Sequence, residues 1–253
     1  MLELKNVCAG YDRREVMHGV SAIMEAGKIT VLAGPNGCGK STLLKTAAGM
    51  LEKTSGEIIV DQKSVEQYHT GELAKKIAYL PQSRNVPDIS VRRMVLHGRF
   101  PYLSYPRHYG KKDLEITEQA LQWVGMQEYA DKNMNELSGG MQQKVYIAMA
   151  LAQDTPVIMM DEPTTFLDIV HQAKLMEITR KLADEGKAVV LVLHDLSAAL
   201  RIADQIVVMR HGEIAGKGSS EEVFESGILD EVFGIRICRV QTENGWQYYY
   251  DAR

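Results

Sequence analysis

Leu2 and Leu4 alternate with polar residues and Val16 to Met24 is again strand-like, before Glu25-Ala26-Gly27 turns the chain into the apolar run Ile29 to Ala33. This opening predicts a β-rich layer followed by a buried strand. Next come GPNGCGKST and LLKTAAGML, a glycine loop and then apolar positions that suit a helix packed on a sheet. Gly56 to Asp61 and Ile77 to Leu80 read as further strands, the second ended by Pro81, while Ser64 to Lys76 mixes helix formers with charge. Between Gln82 and Ser138 the character turns helical: Ser90 can cap Val91 to His97, and Leu114, Leu121 and Val124 are expected on one helical face. After Ser138 a helix carries Met141, Val145 and Met149 inward, and Val157 to Met160 is short and wholly apolar. Helix Ile169 to Glu185, strand Val189 to Leu193, helix Ala198 to Ala203 and strand Ile206 to Met209 continue the alternation. Apolar strands separated by helices imply parallel strands with crossovers, hence an α/β fold. Asn244-Gly245, between Ile237 to Val240 and Trp246 to Tyr250, predicts a terminal hairpin.

The 253 residues suit one large domain with an inserted lobe. A net charge of -4 argues against whole-surface attraction to nucleic acid or anionic lipid, so partners are expected to be recognised locally. Cys8, Cys38 and Cys238 are widely spaced, without CxxC or nearby metal-type histidine spacing, and read as reduced thiols. No apolar run is long enough to span a bilayer, so any membrane role is expected to come through a partner.

Candidate chemistry begins at GPNGCGKS, which fits GxxxxGK[ST] at Gly34, Gly39, Lys40 and Ser41. The loop Pro35-Asn36-Gly37-Cys38 can close around phosphates through its backbone N–H groups, Pro35 shaping the turn without an N–H of its own, and the following helix turns its N-terminus to their charge. Lys40 is expected to reach the β and γ phosphates, Ser41 to offer its hydroxyl to Mg²⁺, and Thr42 to bond a neighbouring phosphate. VIMMDEP places Asp161 at the carboxyl end of a buried strand, where a carboxylate can hold Mg²⁺. Adjacent carboxylates on an extended chain diverge, which leaves Glu162 to align and polarise the attacking water.

A third motif, LSGG at Leu137 to Gly140, lies between these two and resembles the signature of ATP-binding-cassette (ABC) ATPases. The resemblance runs over essentially the whole chain. It implies a single domain, 1–253, of α/β class: a P-loop NTPase core with a mixed β-sheet, an N-terminal antiparallel β layer and an inserted helical lobe. The RecA-like core is expected at about 1–82 and 153–253, and the lobe at about 83–152. Tyr11 matches the aromatic that stacks on adenine, Gln82 the glutamine that joins Mg²⁺ and water, Asp168 the aspartate that speaks across a dimer, and His194 the histidine that meets the γ-phosphate. Ser138, Gly139 and Gly140 would cover the ATP of a second copy, so the resemblance implies a homodimer. Met141 stands where the family has glutamine and Lys144 where it has arginine.

The segment ISVRRMVLHGRFPYLSY and the run PTTFLDIVHQ are similar to ATPases of importers for iron-siderophore, haem and cobalamin. That likeness implies polytopic permease subunits as partners, an extracytoplasmic binding protein acting through them, and residence on the cytoplasmic face of the membrane. Arg92, Arg93, Arg99, Phe100, Tyr102 and Tyr105 are the expected permease contacts. The same bases and aromatics would suit nucleic acid, but ABC chains acting on ribosomes or DNA usually carry two cassettes or a long insertion, and no nucleic-acid partner is expected. An exporter ATPase or a non-transport scaffold are the alternatives.

Overall fold

Five-residue apolar runs with no polar face demand cover on both sides, and Ile29–Ala33, Val157–Asp161 and Ala188–Val192 are buried at every position in the computed structural model. The structure describes residues 1–12, 14–82, 85–243 and 245–252. The first third contains β1 (Leu2–Tyr11), β2 (Arg14–Met24), β3 (Ile29–Ala33), α1 (Lys40–Ala47), β4 (Lys53–Val60), β5 (Lys63–Ser64), α2 (Thr70–Leu73) and β6 (Ile77–Leu80). Three helices follow with no named strand among their described residues: α3 (Val91–Leu96), α4 (Lys111–Trp123) and α5 (Gly139–Ala152). Alternation resumes with β7 (Val157–Asp161), α6 (Ile169–Asp184), β8 (Ala188–Val192), α7 (Leu196–Ile202), β9 (Gln205–Arg210) and β10 (Glu213–Gly218). The chain closes with α8 (Ser220–Glu225), α9 (Ile228–Phe233), β11 (Ile235–Thr242) and β12 (Gly245–Ala252).

The central sheet has order β10-β9-β3-β8-β7-β6, parallel except for β10, and an antiparallel sheet has order β2-β1-β4-β5. Alternate residues of the central strands enter different cores. Val31, Ile158 and Leu191 join the core shared with α3 to α7, whereas Leu32, Met159 and Val190 join the one shared with α1 and the antiparallel sheet. This double cover explains why the strands show no hydrophobic alternation.

Several expectations shift. Leu121 on α4 and Val124 just past its end are buried, but Leu114, in the first turn of α4, is exposed. Between Ser64 and Lys76 only the short turn Val65–Gln67 and the single turn α2 are helical. Helix α7 starts two residues before the predicted Ala198, since the Asp195 carboxylate accepts from Ser197 N–H and Ala198 N–H at 2.8 and 3.2 Å. Strand β10 carried no sequence signal because its burial alternates on an edge with only Ile214 and Ala215 apolar. The terminal hairpin forms with Thr242 opposite Gly245, while Asn244 lies outside the described residues.

Candidate active site

Strands β3, β8, β7 and β6 are neighbours and parallel, so the residues that follow their carboxyl ends converge on one edge of the sheet. After β3 comes the glycine loop; after β8, His194; after β7, Glu162; after β6, Gln82. Their side chains line a cavity of about 380 Å³ together with Val16, Asn36, Gly37, Gly39, Lys40, Ser41 and Thr42. Asn36 and His194, 158 positions apart in sequence, are thus joined by the order of the strands that precede them.

The loop is shaped by missing side chains. A Cβ on Gly34 would sit 2.3 Å from the Met209 carbonyl oxygen, and Gly39 holds φ 107° at the start of α1. The turn between β9 and β10 braces the loop from outside, with Gly212 N–H donating to the Cys38 carbonyl at 3.0 Å. Lys40 is buried, and its Nζ donates to the carbonyl oxygens of Gly34 and Pro35 at 2.6 and 2.9 Å. Gly34, Pro35 and Cys38 therefore build the loop from behind, and the Cys38 thiol packs inward at 5% exposure.

The two carboxylates diverge, but not along an extended chain as expected. Glu162 holds φ 51°, a left-handed conformation in which a β-strand cannot continue. Asp161 stays in the sheet, 2% exposed, while the Glu162 carboxylate is gripped by Gln82 Nε2 on one oxygen and stands 2.7 Å from His194 Nε2 on the other. Burial raises the Asp161 carboxyl above its ordinary value, against the lowering effect of a hydrogen bond from Ser41, and Glu162 adds repulsion. Tyr79 Oη approaches Asp161 Oδ2 at 3.4 Å, but Oδ1 is buried without a hydrogen-bond partner. An orphaned carboxylate oxygen beside a serine hydroxyl suits a hard divalent cation that keeps oxygen ligands, and Ser41, Asp161 and Gln82 can supply them. Among the described residues no cluster of three or more His, Cys, Asp or Glu forms a protein-only metal cage. Such a site fits Mg²⁺ carried on phosphate oxygens.

Tyr11 ends β1, half exposed, on a second cavity of about 910 Å³ that shares Val16 and Gly37 with the first. A flat aromatic wall therefore stands beside the phosphate loop at a place where a nucleobase can stack. Ser138, Gly139 and Gly140 line neither cavity. They open α5 at the surface, where Ser138 Oγ accepts from Met141 N–H at 3.4 Å. Asp168 is also outside the cavity and caps α6; its carboxylate accepts from His171 N–H at 2.9 Å and lies 2.6 Å from His171 Nδ1, which holds it below the usual range.

The expected partner contacts divide. Arg99 is buried, not presented: its Nε donates to Asp113 at 3.0 Å, its Nη1 to the Ala152 carbonyl at 2.9 Å, and its guanidinium covers the Tyr102 ring at 3.9 Å. Tyr102 Oη donates to the Gln153 and Asp154 carbonyls at 2.9 and 3.2 Å. Both residues tie the turn His97–Tyr102 to α4 and the end of α5, Arg99 buried and Tyr102 only partly so. Arg92 pairs with Glu118 and Asp131 on its own surface, whereas Arg93, Phe100 and Tyr105 are exposed, Tyr105 at 96%. Part of the base and aromatic run is thus spent on packing. Sequence reading missed Tyr79 and the bracing turn His211-Gly212; positive φ at both turn residues, 51° and 83°, marks a hairpin that the His-Gly pair signals only weakly.

With this geometry in place, comparison with known proteins is informative. The family model described as ABC transporter matches residues 17–165. The chain is 37% identical to the petrobactin import ATP-binding protein FpuD of Bacillus anthracis over 96% of its own length and 89% of the relative's. It is also 37% identical to the iron(3+)-hydroxamate import ATP-binding protein FhuC of Bacillus subtilis, over 92% and 88%. Among solved structures, a dimeric ATP-binding cassette in a post-hydrolysis state, bound to ADP and Pi, superposes with TM-score 0.78 and 30% identity over 87% of this chain and 99% of that one. A transporter described as of the metal-chelate type, in an inward-facing conformation, gives TM-score 0.83 and 25% identity over 99% and 96%. The matched stretch spans the glycine loop and the DE pair, and the chain belongs to the ABC transporter family as one of its ATP-hydrolysing subunits.

Proposed function

We propose that this subunit, on the cytoplasmic face of the membrane, energises import of an iron-siderophore, haem or cobalamin through separate permease subunits. The observation that carries the catalytic reading is the Glu162 carboxylate, fixed between Gln82 and His194 in the cavity that also holds Lys40 and Ser41. ATP lies with adenine against Tyr11 and its phosphates on the backbone N–H groups from Asn36 to Gly39, in the loop that Pro35 shapes, with Lys40 and Thr42 binding phosphate oxygens. Ser41, Asp161 and Gln82 would hold Mg²⁺, which would supply charge neutralisation at the phosphates. Glu162 aligns the attacking water, and His194 meets the γ-phosphate. Ser138, Gly139 and Gly140 open α5 at the surface and do not line their own cavity, which supports a head-to-tail homodimer in which each copy covers the other's ATP, with Asp168 in the same contact.

The core at about 1–82 and 153–253 and the lobe at about 83–152 then act as two parts around the nucleotide. An apolar groove of about 510 Å³ runs between the end of α1 and Gln153, lined by Met50, Leu51, Tyr68, Leu73 and Tyr79. It suits a short amphipathic helix of the permease, with the exposed Arg93, Phe100 and Tyr105 as further contacts and Arg92 contributing through its charge. An extracytoplasmic binding protein delivers the chelate on the far side. Relatives named for petrobactin and iron(3+)-hydroxamate import support this substrate class. Uptake of several iron chelates and cobalamin in cells lacking the chain tests it. Loss of one substrate's uptake, restored by the intact chain but not by Lys40→Ala, is expected; undiminished uptake of all of them would refute the importer reading.

A further inference from the structure

The turn after β7 keeps an unusual shape. Glu162 at φ 51° and Phe166 at φ 68° both hold left-handed backbone, and Pro163 offers no N–H. Inside the turn, Thr165 N–H donates to the Glu162 carbonyl at 3.2 Å and Leu167 N–H to the Thr164 carbonyl at 3.1 Å. Further support comes from α5. Gln143, only 5% exposed, donates from Nε2 to the Pro163 carbonyl oxygen at 2.8 Å. A primary amide inside a core is costly unless it is bonded, and apolar side chains fill the neighbouring positions Val145, Tyr146 and Ile147. One turn earlier the same helix meets the same segment directly: a Cβ on Gly140 would lie 2.8 Å from the Phe166 carbonyl oxygen. The start of α5 and the segment from Glu162 to Phe166 therefore abut at two levels.

We propose that Gln143 is a positioning residue for hydrolysis. It fixes the Pro163 peptide, and through it the left-handed backbone that aims the Glu162 carboxylate at Gln82 and His194. It lines neither nucleotide cavity and adds nothing to ATP binding. Because α5 begins at the surface that meets a second copy's nucleotide, displacement there is passed along one helical turn to the carboxylate of the same subunit. The inference rests on the reading of Glu162 as the group that aligns water.

The test compares Gln143→Leu, Gln143→Glu, Glu162→Gln and the double variant Gln143→Leu/Glu162→Gln in the full chain, by steady-state ATP hydrolysis and by affinity for a non-hydrolysable ATP analogue. Gln143→Leu should lower kcat at least about tenfold with KM and analogue affinity within twofold of wild type, the pattern of an effect confined to the chemical step. Gln143→Glu should be equally slow at pH 8 and recover relative to wild type as the pH falls to 6. A protonated carboxyl can donate to the Pro163 carbonyl and a carboxylate cannot, and burial raises the introduced group's pKa toward this window. The double variant should be no slower than Glu162→Gln alone, since both changes disable one unit. A kcat for Gln143→Leu within twofold of wild type, a pH-independent Gln143→Glu ratio, or losses that multiply in the double variant would overturn the proposal. If Gln143→Leu does not fold, the Gln143→Glu ratio decides. Wild-type turnover in Glu162→Gln overturns the Glu162 reading instead, which separates the two failures.

Discussion

Glu162 occupies left-handed backbone that costs a residue with a Cβ about 1–3 kcal/mol, and its side chain is gripped by two polar partners at the mouth of a phosphate-sized cavity. Strain kept at such a place points to chemistry. Glu162→Gln preserves size and most hydrogen bonding but removes the charge that polarises water, so hydrolysis should slow by roughly 10²- to 10⁴-fold with ATP affinity retained; an unchanged rate would remove Glu162 from its role. Glu162→Gly relieves the backbone at the same position. It should lose turnover while its thermal midpoint stays at or above the wild-type value, read by calorimetry; a marked fall in midpoint would mean that the side chain serves the fold. Lys40→Ala removes a charge-assisted contact worth about 1.5–3 kcal/mol, so affinity for ATP should weaken by about 10- to 100-fold in equilibrium titration.

At the scale of elements, Arg99 shows a charge used as a rivet. It joins the turn His97–Tyr102 to Asp113 on α4 and to the carbonyl that ends α5. Gly98 beside it leaves no room for a Cβ, which would stand 2.3 Å from the Met149 carbonyl oxygen. Breaking a largely buried pair strands the other charge, so Arg99→Leu should destabilise the protein by about 3 kcal/mol in denaturant unfolding; intact stability with lost transport would restore the docking role. Burial alone would raise the Asp113 carboxyl, but the Gly110 N–H and Arg99 outweigh it and leave it below its ordinary value. A carboxyl depressed in the folded state stabilises above its unfolded pKa, near 4, and loses that contribution as the pH falls through the folded value. Acid unfolding should therefore begin at higher pH in Arg99→Leu than in wild type.

At the scale of the molecule, the start of α5 adjoins Phe166, whose ring carbon lies 4.0 Å from where a Cβ on Gly139 would stand, and Phe166, Ile169 and Val170 are 75%, 81% and 70% exposed. Large apolar side chains exposed beside helix amides suit association. Glu162→Gln, which binds ATP without consuming it, should accumulate as a dimer with ATP and remain monomeric with ADP, measured by size-exclusion chromatography with light scattering. Adding Ser138→Arg places a bulky group in the closing contact and should abolish the dimer while leaving ATP binding intact. A dimer that persists in the double variant would remove Ser138 from the interface.

What the sequence by itself determined is local: which runs are buried on both faces, where the glycine loop meets a helix, and that Asp161 and Glu162 end a buried strand. Each of these depends on residues within a few positions of one another, and hydrophobic period, glycine spacing and caps record such relations directly. Ser90 as the cap of α3 and strand Ile77–Leu80 were legible for that reason. The tertiary structure alone decided relations across distance. Strand order brought Gln82, Glu162 and His194 to one edge, turned Arg99 inward to a carbonyl 53 residues away, and set Gln143 against Pro163. An arginine in a run of bases reads the same whether it faces solvent or a buried aspartate. Its destination is settled by which segments pack around it, since desolvating a charge is tolerated only where the fold supplies its partners.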